Sequence, residues 1–309
     1  MQKFVKLLIA LLLFSLIFIF QISNSHQKHA TCQQEEVARN LNSKNICSGE
    51  NMSQCIPAFV KFRQQYRTST KHGLLACAIE KNFSTFLTAI MCYLTDSARF
   101  LAANRTLDRD IYDSRLCKNI NEFTELRKIR GNSKMHLFTV VRDPVERFVS
   151  GFVDKCLREK TWQKHHHRCG GCQTNLTCFI HVMYSRMSNF AHRQTRNVYF
   201  DDSHFFPQSW RCEFSQNIAR YTILRLDSRR FFDDILDFLA ANGVDDKSME
   251  YINTSLQQKT AHSTRDSVER DEIVQILRNN SRLMTKLVQM YYFDFLLFGY
   301  ELPQIPAAR

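Results

Sequence analysis

Residues 136–152 read HLFTVVRDPVERFVSGF, a strand that runs straight into a capped amphipathic helix. Leu137 to Val141 is a short apolar, β-branched run. Asp143 stands where an N-cap belongs, Pro144 at the first helical position, and Glu146 where a capping box closes. Val145, Phe148, Val149 and Phe152 recur at i, i+3, i+4 and i+7, so one helix face packs inward while Arg147 and Ser150 share the other. Arg142, Arg147 and Ser150 then converge near a helix start, where free N–H groups and the helix dipole favour an anion. A capped surface helix with a solvated polar face has the same spacing, and spacing alone leaves both readings open.

The same order, strand then turn then helix, recurs along the chain. Leu74 to Ile79 is an apolar run of strand length, and from Phe83 the residues Phe86, Leu87, Ile90, Met91 and Leu94 repeat at helical spacing. Tyr221 to Leu226, followed by Arg229 to Asn242 and ending at Gly243, is a third instance. Strands alternating with helices predict an α/β fold, a central parallel sheet flanked by helices on both faces. Cys178 to Ala191 reads as a further helix, and residues 265–298 as one or two more, broken near Asn279 and Asn280. Residues 26–70 are polar and lack clear periodicity, which suits a stem. The folded domain is expected over 71–300, with 301–309 as a tail.

The composition suits one large domain. Of 309 residues, 44% are hydrophobic and 25 are Phe, whereas Gly and Pro number only 8 and 5, which excludes both a disordered chain and an all-β chain full of tight turns. The net charge of +12 calls for an anionic partner without saying which. Compartment narrows the choice. Lys3 and Lys6 precede the apolar run Leu7 to Phe20, broken only by Ser15, so residues 1–25 read as a signal peptide or an uncleaved signal-anchor, with Ser23 and Ser25 at plausible cleavage spacing. Either way the rest of the chain is expected on the lumenal or extracellular side. Eleven cysteines and the sequons at Asn51, Asn82, Asn104, Asn175, Asn253 and Asn279 agree with an oxidising, glycosylating compartment, which removes nucleic acid from the candidate partners.

A second anion site follows the first strand. The turn reads Glu80, Lys81, Asn82, Phe83, Ser84, Thr85: a lysine at a strand end, then two hydroxyls at a helix N-terminus. A phosphate or sulfate cradle needs those parts, a mobile cation, O–H donors and free N–H groups. The glycines and Gly-Lys-Ser/Thr order of a Walker loop are missing, and no carboxylate pair for magnesium accompanies the turn, which weakens a kinase reading. An ordinary helix start with a solvated lysine has the same residues. Two such sites in one parallel sheet would face the same crevice at the strands' carboxyl ends, suited to a ligand with phosphates at two separated points.

On these residues the chain resembles the lumenal carbohydrate sulfotransferases of the chondroitin and dermatan 4-O-sulfotransferase type, including their nematode branch. The resemblance spans roughly residues 72–300. In that family a Pro-Lys-x-x-Ser/Cys-Thr turn binds the 5′-phosphosulfate of 3′-phosphoadenosine 5′-phosphosulfate (PAPS), and Glu80 through Thr85 correspond to it. The Arg-Asp-Pro-x-x-Arg-x-x-Ser segment that binds the 3′-phosphate is present in full from Arg142 to Ser150. His204 to Gln208, with Cys212 beyond, and Tyr291 to Tyr300 are also similar to family segments, the latter read as core. The resemblance implies a P-loop-like sulfotransferase fold and O-sulfation of a glycan, a chondroitin-like glycosaminoglycan being favoured. It also implies PAPS as donor, no metal, and a Golgi enzyme of single-pass type II topology, or a secreted one if the N-terminal segment is cleaved. Lys81, Asn82, Phe83, Ser84, Thr85, Arg142, Arg147 and Ser150 are the expected cofactor contacts.

Transfer needs a cation beside the leaving phosphate, for which Lys81 is placed, and a base for the acceptor hydroxyl, for which a neutral imidazole is suited. His204 is the first candidate and His262 the second; a structural role for His204 fits the sequence equally. Glu80 departs from the family's proline, and a carboxylate beside a phosphosulfate turn either points away or weakens binding. On the second reading the chain is a non-catalytic protein that binds acidic glycans on an inactive scaffold. His165, His166, His167, Cys169, Cys172 and Cys178 invite a zinc reading. The oxidising compartment favours disulfides instead, with Cys156 as a fourth partner and three pairings open.

Overall fold

The structure, a computed structural model, describes residues 45–110, 114–257 and 267–306; the apolar run Leu7 to Phe20, Cys32 and His262 lie outside them. Five strands form one sheet: β1 (Tyr66–Ser69), β2 (Leu74–Cys77), β3 (Glu122–Phe123), β4 (His136–Val141) and β5 (Tyr221–Arg225), in the order β3-β1-β2-β4-β5. β2, β4 and β5 are parallel neighbours, with Cys77 opposite Thr139 and Thr139 opposite Ile223. β1 and β3 add to the β2 edge as antiparallel strands, the β1–β2 hairpin closing at Gly73, whose φ of 61° is the left-handed value glycine takes without strain. The central parallel sheet expected from the sequence is therefore present as β2, β4 and β5, with two antiparallel strands added at one edge.

Helices flank it: α1 (Ser84–Thr95), α2 (Ser97–Ala102), α3 (Pro144–Phe152), α4 (Leu176–Ala191), α5 (Phe200–Phe205), α6 (Phe214–Asn217), α7 (Phe231–Ala241), α8 (Asp246–Leu256), α9 (Val268–Arg278) and α10 (Ser281–Leu297). Strand pleating divides the core in two. Leu75, Cys77, Leu137, Val141 and Tyr221 share a core with the buried faces of α3, α4 and α10, while Leu74, Ala76, Phe138, Val140 and Leu224 share one with α1, α7 and α8. The expected break near Asn279 and Asn280 is real. Asn280 caps α10, its side chain accepting from the Leu283 N–H at 3.1 Å.

The folded unit starts upstream of Lys71. β1 lies within residues 26–70, and the segment before it is tied down by the Cys47–Cys55 disulfide, by the Ile56 N–H donating to the Gln289 carbonyl at 2.9 Å, and by Trp210 Nε1 donating to the Pro57 carbonyl at 2.7 Å. Residues 45–65 lack periodicity because, apart from a short 3-10 helix at Gly49–Gln54, they are irregular chain held by a crosslink and single hydrogen bonds, which periodicity cannot register. At the other end Leu302 and Ile305 pack against the core. Among the described residues no helix is long and apolar enough to cross a membrane.

Candidate active site

Because β2 and β4 are parallel neighbours, the turns that follow them lie side by side at one edge of the sheet. After β2, Lys81 and Phe83 both take left-handed backbone conformations, φ 69° and 63°. Such values in non-glycine residues cost free energy and cluster at functional sites. Phe83 is fixed by stacking on Phe86 at 4.9 Å and by an edge contact with Phe231 at 5.2 Å. No side chain caps α1, so its first-turn N–H groups, beside the half-buried Ser84 and Thr85, have no intrahelical partner. Asn82 is fully buried. Its Nδ2 donates to the Val140 carbonyl at 3.1 Å and to Gln208 Oε1, so this side chain braces the turn from beneath and can meet a ligand only through its backbone.

After β4, Asp143 accepts from the Glu146 N–H at 2.9 Å, the expected N-cap. The capping box does not close, because Glu146 turns outward and both its oxygens accept from Arg270 at 2.6 Å. Arg142 is half-buried at the mouth of the turn. Arg147 and Ser150 do not share a solvated face; they are 1% and 4% exposed. Arg147 lies under the site, Nε donating to the Glu80 carbonyl at 3.1 Å and Nη1 to the Phe206 carbonyl at 2.9 Å. Its Nη2 has no partner among the described residues. Burial penalises the guanidinium charge and pushes its pKa down.

Gln208 joins the two turns. Its Oε1 accepts from Asn82 and from the Arg142 N–H at 3.1 Å, and its Nε2 donates to the Arg142 carbonyl at 2.8 Å. Asp294 on α10 holds Gln208 in turn, accepting from the Gln208 N–H at 2.6 Å and the Ser209 N–H at 2.9 Å, while Tyr291 donates to the Phe205 carbonyl at 2.7 Å. Tyr291, Phe295, Phe298 and Tyr300 are core residues, as the sequence suggests, and Tyr291 and Asp294 in addition fix the segment from Phe205 to Ser209. The available signal was a carboxylate and a phenol on the buried stripe of an aromatic helix.

Lys81 and His204 converge with two residues the sequence did not single out. Lys81 Nζ donates to Asp154 Oδ2 at 2.7 Å, and Lys155 Nζ stands 3.0 Å from the same oxygen. Burial pushes the Lys81 pKa down; Asp154 opposes that, whereas Lys155 and Arg142 add to it. His204 is half-buried against Phe200, with ring centroids 4.7 Å apart, and its Nδ1 has no partner among the described residues. Desolvation, then the nearby Lys155 and Lys81 charges, drive its pKa well below the ordinary histidine value, so the imidazole is neutral at neutral pH. α5 approaches α3 closely enough to bring His204 here because Gly151 has no side chain: a Cβ there would lie 2.7 Å from the Phe205 ring.

Glu80 points away from the turn. Its carboxylate accepts from Arg211 Nη2 at 2.5 Å and Gln65 Nε2 at 2.6 Å, and the Arg211 side chain is fully buried. The charge that made the turn electrostatically awkward is thus neutralised behind it. Ten cysteines pair as Cys47–Cys55, Cys77–Cys212, Cys92–Cys117, Cys156–Cys169 and Cys172–Cys178. Cys156, Cys169, Cys172 and Cys178 are therefore crosslinks, and no group of three potential metal ligands exists among the described residues.

The sequence matches the sulfotransferase family over residues 64–301. An uncharacterized protein of Caenorhabditis elegans is 32% identical over 266 residues, covering 82% of this chain and 74% of its own length. The same nematode's carbohydrate sulfotransferase chst-1 is 29% identical over 258 residues (80% and 78%), and its vep-2 is 31% identical over 239 residues (74% and 73%). No solved structure matches. With a mixed α/β sheet, two turns meeting at its carboxyl edge, and a family match that runs from before β1 to beyond α10, the chain belongs to the sulfotransferase family and is a sulfotransferase.

Proposed function

We propose that the chain is a PAPS-dependent carbohydrate O-sulfotransferase that carries a sulfuryl group to a glycan hydroxyl, with a chondroitin-like glycosaminoglycan as the favoured acceptor. One observation carries the reading: Lys81, on a left-handed turn before an uncapped helix, meets the neutral His204 beside the Arg142 turn at the sheet's carboxyl edge. A carbohydrate acceptor is supported by the name of chst-1, and an acidic one by the net charge of +12.

The residues present fit a nucleotide with phosphates at both ends. Lys81, the first-turn N–H groups of α1, Ser84 and Thr85 would hold the 5′ end; Arg142, with Ser150 and the unpartnered Nη2 of Arg147, would hold the 3′-phosphate. When bound, PAPS supplies the sulfuryl group, whose S–O bond to the 5′-phosphate breaks as a bond to the acceptor oxygen forms. Lys81 places its ammonium where the 5′-phosphate gains charge, and the His204 imidazole takes the acceptor's hydroxyl proton. Disulfides and five exposed sequons support a Golgi lumenal domain behind a type II anchor at residues 1–25.

Binding is tested by thermal unfolding with adenosine 3′,5′-bisphosphate. At about 100 times its dissociation constant the nucleotide should stabilise the protein by about 2.7 kcal/mol, and no stabilisation at saturation contradicts the reading.

A further inference from the structure

The helix that carries Arg147 does not end at Phe152. It continues as a π-turn over Val153–Arg158, a wider winding that is rare and recurs at functional sites. This winding sets Asp154 and Lys155 together at the site: Asp154 Oδ2 takes both ammonium groups, Lys81 at 2.7 Å and Lys155 at 3.0 Å, and Lys155 also reaches Glu159 at 2.6 Å. Asp154 is 4% exposed, so these pairings are weakly screened by solvent. Arg142 lies close enough to act on Lys81 as well, and without a carboxylate the cations would repel one another and favour a neutral Lys81 amine. The same carboxylate counters the cations that surround His204.

Resting on the sulfotransferase reading of this edge, we infer that Asp154 is a positioning residue for the transfer: it holds Lys81 charged and in place before the donor arrives, and then releases it toward the leaving oxygen while staying paired with Lys155. The carboxylate is then left facing His204 as the imidazole gains a proton. The balance is complete within the site. The sulfuryl group ends on the acceptor oxygen, the acceptor's proton on His204, and the added negative charge on the 5′-phosphate beside Lys81. Asp154 touches none of the reacting atoms and acts through Lys81 and His204.

The test reads Lys81 directly in the full chain. Acetylation of each lysine by acetic anhydride is followed by peptide mass spectrometry, with the exposed Lys61 and Lys247 as references. Asp154→Asn should raise Lys81 modification about fivefold or more, because the amine loses the partner that keeps it protonated, while Asp154→Glu should stay within about twofold of wild type. In turnover Asp154→Asn should lose about a hundredfold in kcat with donor KM changed less than about threefold, and Asp154→Glu should recover most of that loss. If Asp154→Asn does not fold, Asp154→Glu decides: a folded Glu variant with wild-type Lys81 reactivity supports the role, and one whose Lys81 is as reactive as a free lysine overturns it. Adenosine 3′,5′-bisphosphate should shield Lys81 of the wild type. Failure to shield overturns the sulfotransferase reading of the edge and the Asp154 role with it; shielding together with unchanged Lys81 reactivity in Asp154→Asn overturns the Asp154 role alone.

Discussion

At the residue scale, Glu80 shows how a local oddity is resolved at a distance. A carboxylate beside a turn proposed to bind an anion looks inhibitory until Arg211, 131 positions away, is seen to hold it. Removing one partner of a buried pair leaves the other charge uncompensated, so Glu80→Ala should cost about 3 kcal/mol in a urea unfolding titration and should not improve nucleotide affinity. Tighter nucleotide binding by Glu80→Ala would mean that the carboxylate does repel the ligand. His204 gives a pH signature. Its pKa is held below 6.5 by burial and neighbouring cations, and only the neutral ring can take a proton, so kcat/KM should stay flat as pH falls to about 6.5 and decline well below it. An acid limb centred at or above the ordinary histidine value, or near-normal turnover by His204→Ala with nucleotide binding retained, removes the assignment. Arg147 was the residue least legible in sequence. Helical periodicity placed it on a polar face; in fact Arg147 and Ser150 on that face are buried, and the partners of its guanidinium are carbonyls at Glu80 and Phe206, which no local spacing reveals.

At the element scale, the strand-turn-helix units around β2, β4 and β5 were legible because each carries a strand of mainly apolar or β-branched residues followed by a 3.6-residue repeat. β1 and β3 were not. β3 has only two residues, and β1 reads Tyr-Arg-Thr-Ser, a mostly polar run that is nevertheless buried throughout, so no apolar stretch marks either. The π-turn was equally invisible, since Val153–Arg158 carries no composition that separates it from an α-helical continuation. α10 acts on the site through Asp294, which fixes two backbone N–H groups at Gln208 and Ser209. Asp294→Ala leaves those buried donors unpaired and should cost about 3 kcal/mol. Because Gln208 bridges the two turns, nucleotide affinity by calorimetry should also fall, by about tenfold or more. Unchanged affinity in a folded Asp294→Ala protein would show that the turns hold their relation without this brace.

At the scale of the whole molecule, crosslinks do what strand count does not. Cys77–Cys212 joins the end of β2 to the segment just beyond Gln208, across 135 residues, and so ties together the parts that carry Lys81 and His204. Eleven cysteines made crosslinks legible in the sequence, but pairing needed the fold, since several pairings of eleven cysteines satisfy the same sequence. Burial also sorts the sequons. Asn51, Asn104, Asn175, Asn253 and Asn279 are exposed, whereas Asn82 is fully buried with its amide nitrogen donating inward. Glycopeptide mapping of secreted protein should find sugar on members of the exposed group and none on Asn82; a glycan on Asn82 in active protein contradicts the turn as built.

The central claim, that the sheet's carboxyl edge moves a sulfuryl group with Lys81 beside the leaving phosphate, is tested most directly by transfer of labelled sulfate from PAPS to a panel of glycans. The wild type should label a glycosaminoglycan acceptor, and Lys81→Ala, folded as judged by its thermal transition, should transfer about a thousandfold more slowly. A wild type that labels no glycan, or a Lys81→Ala enzyme that transfers at the wild-type rate, contradicts the account.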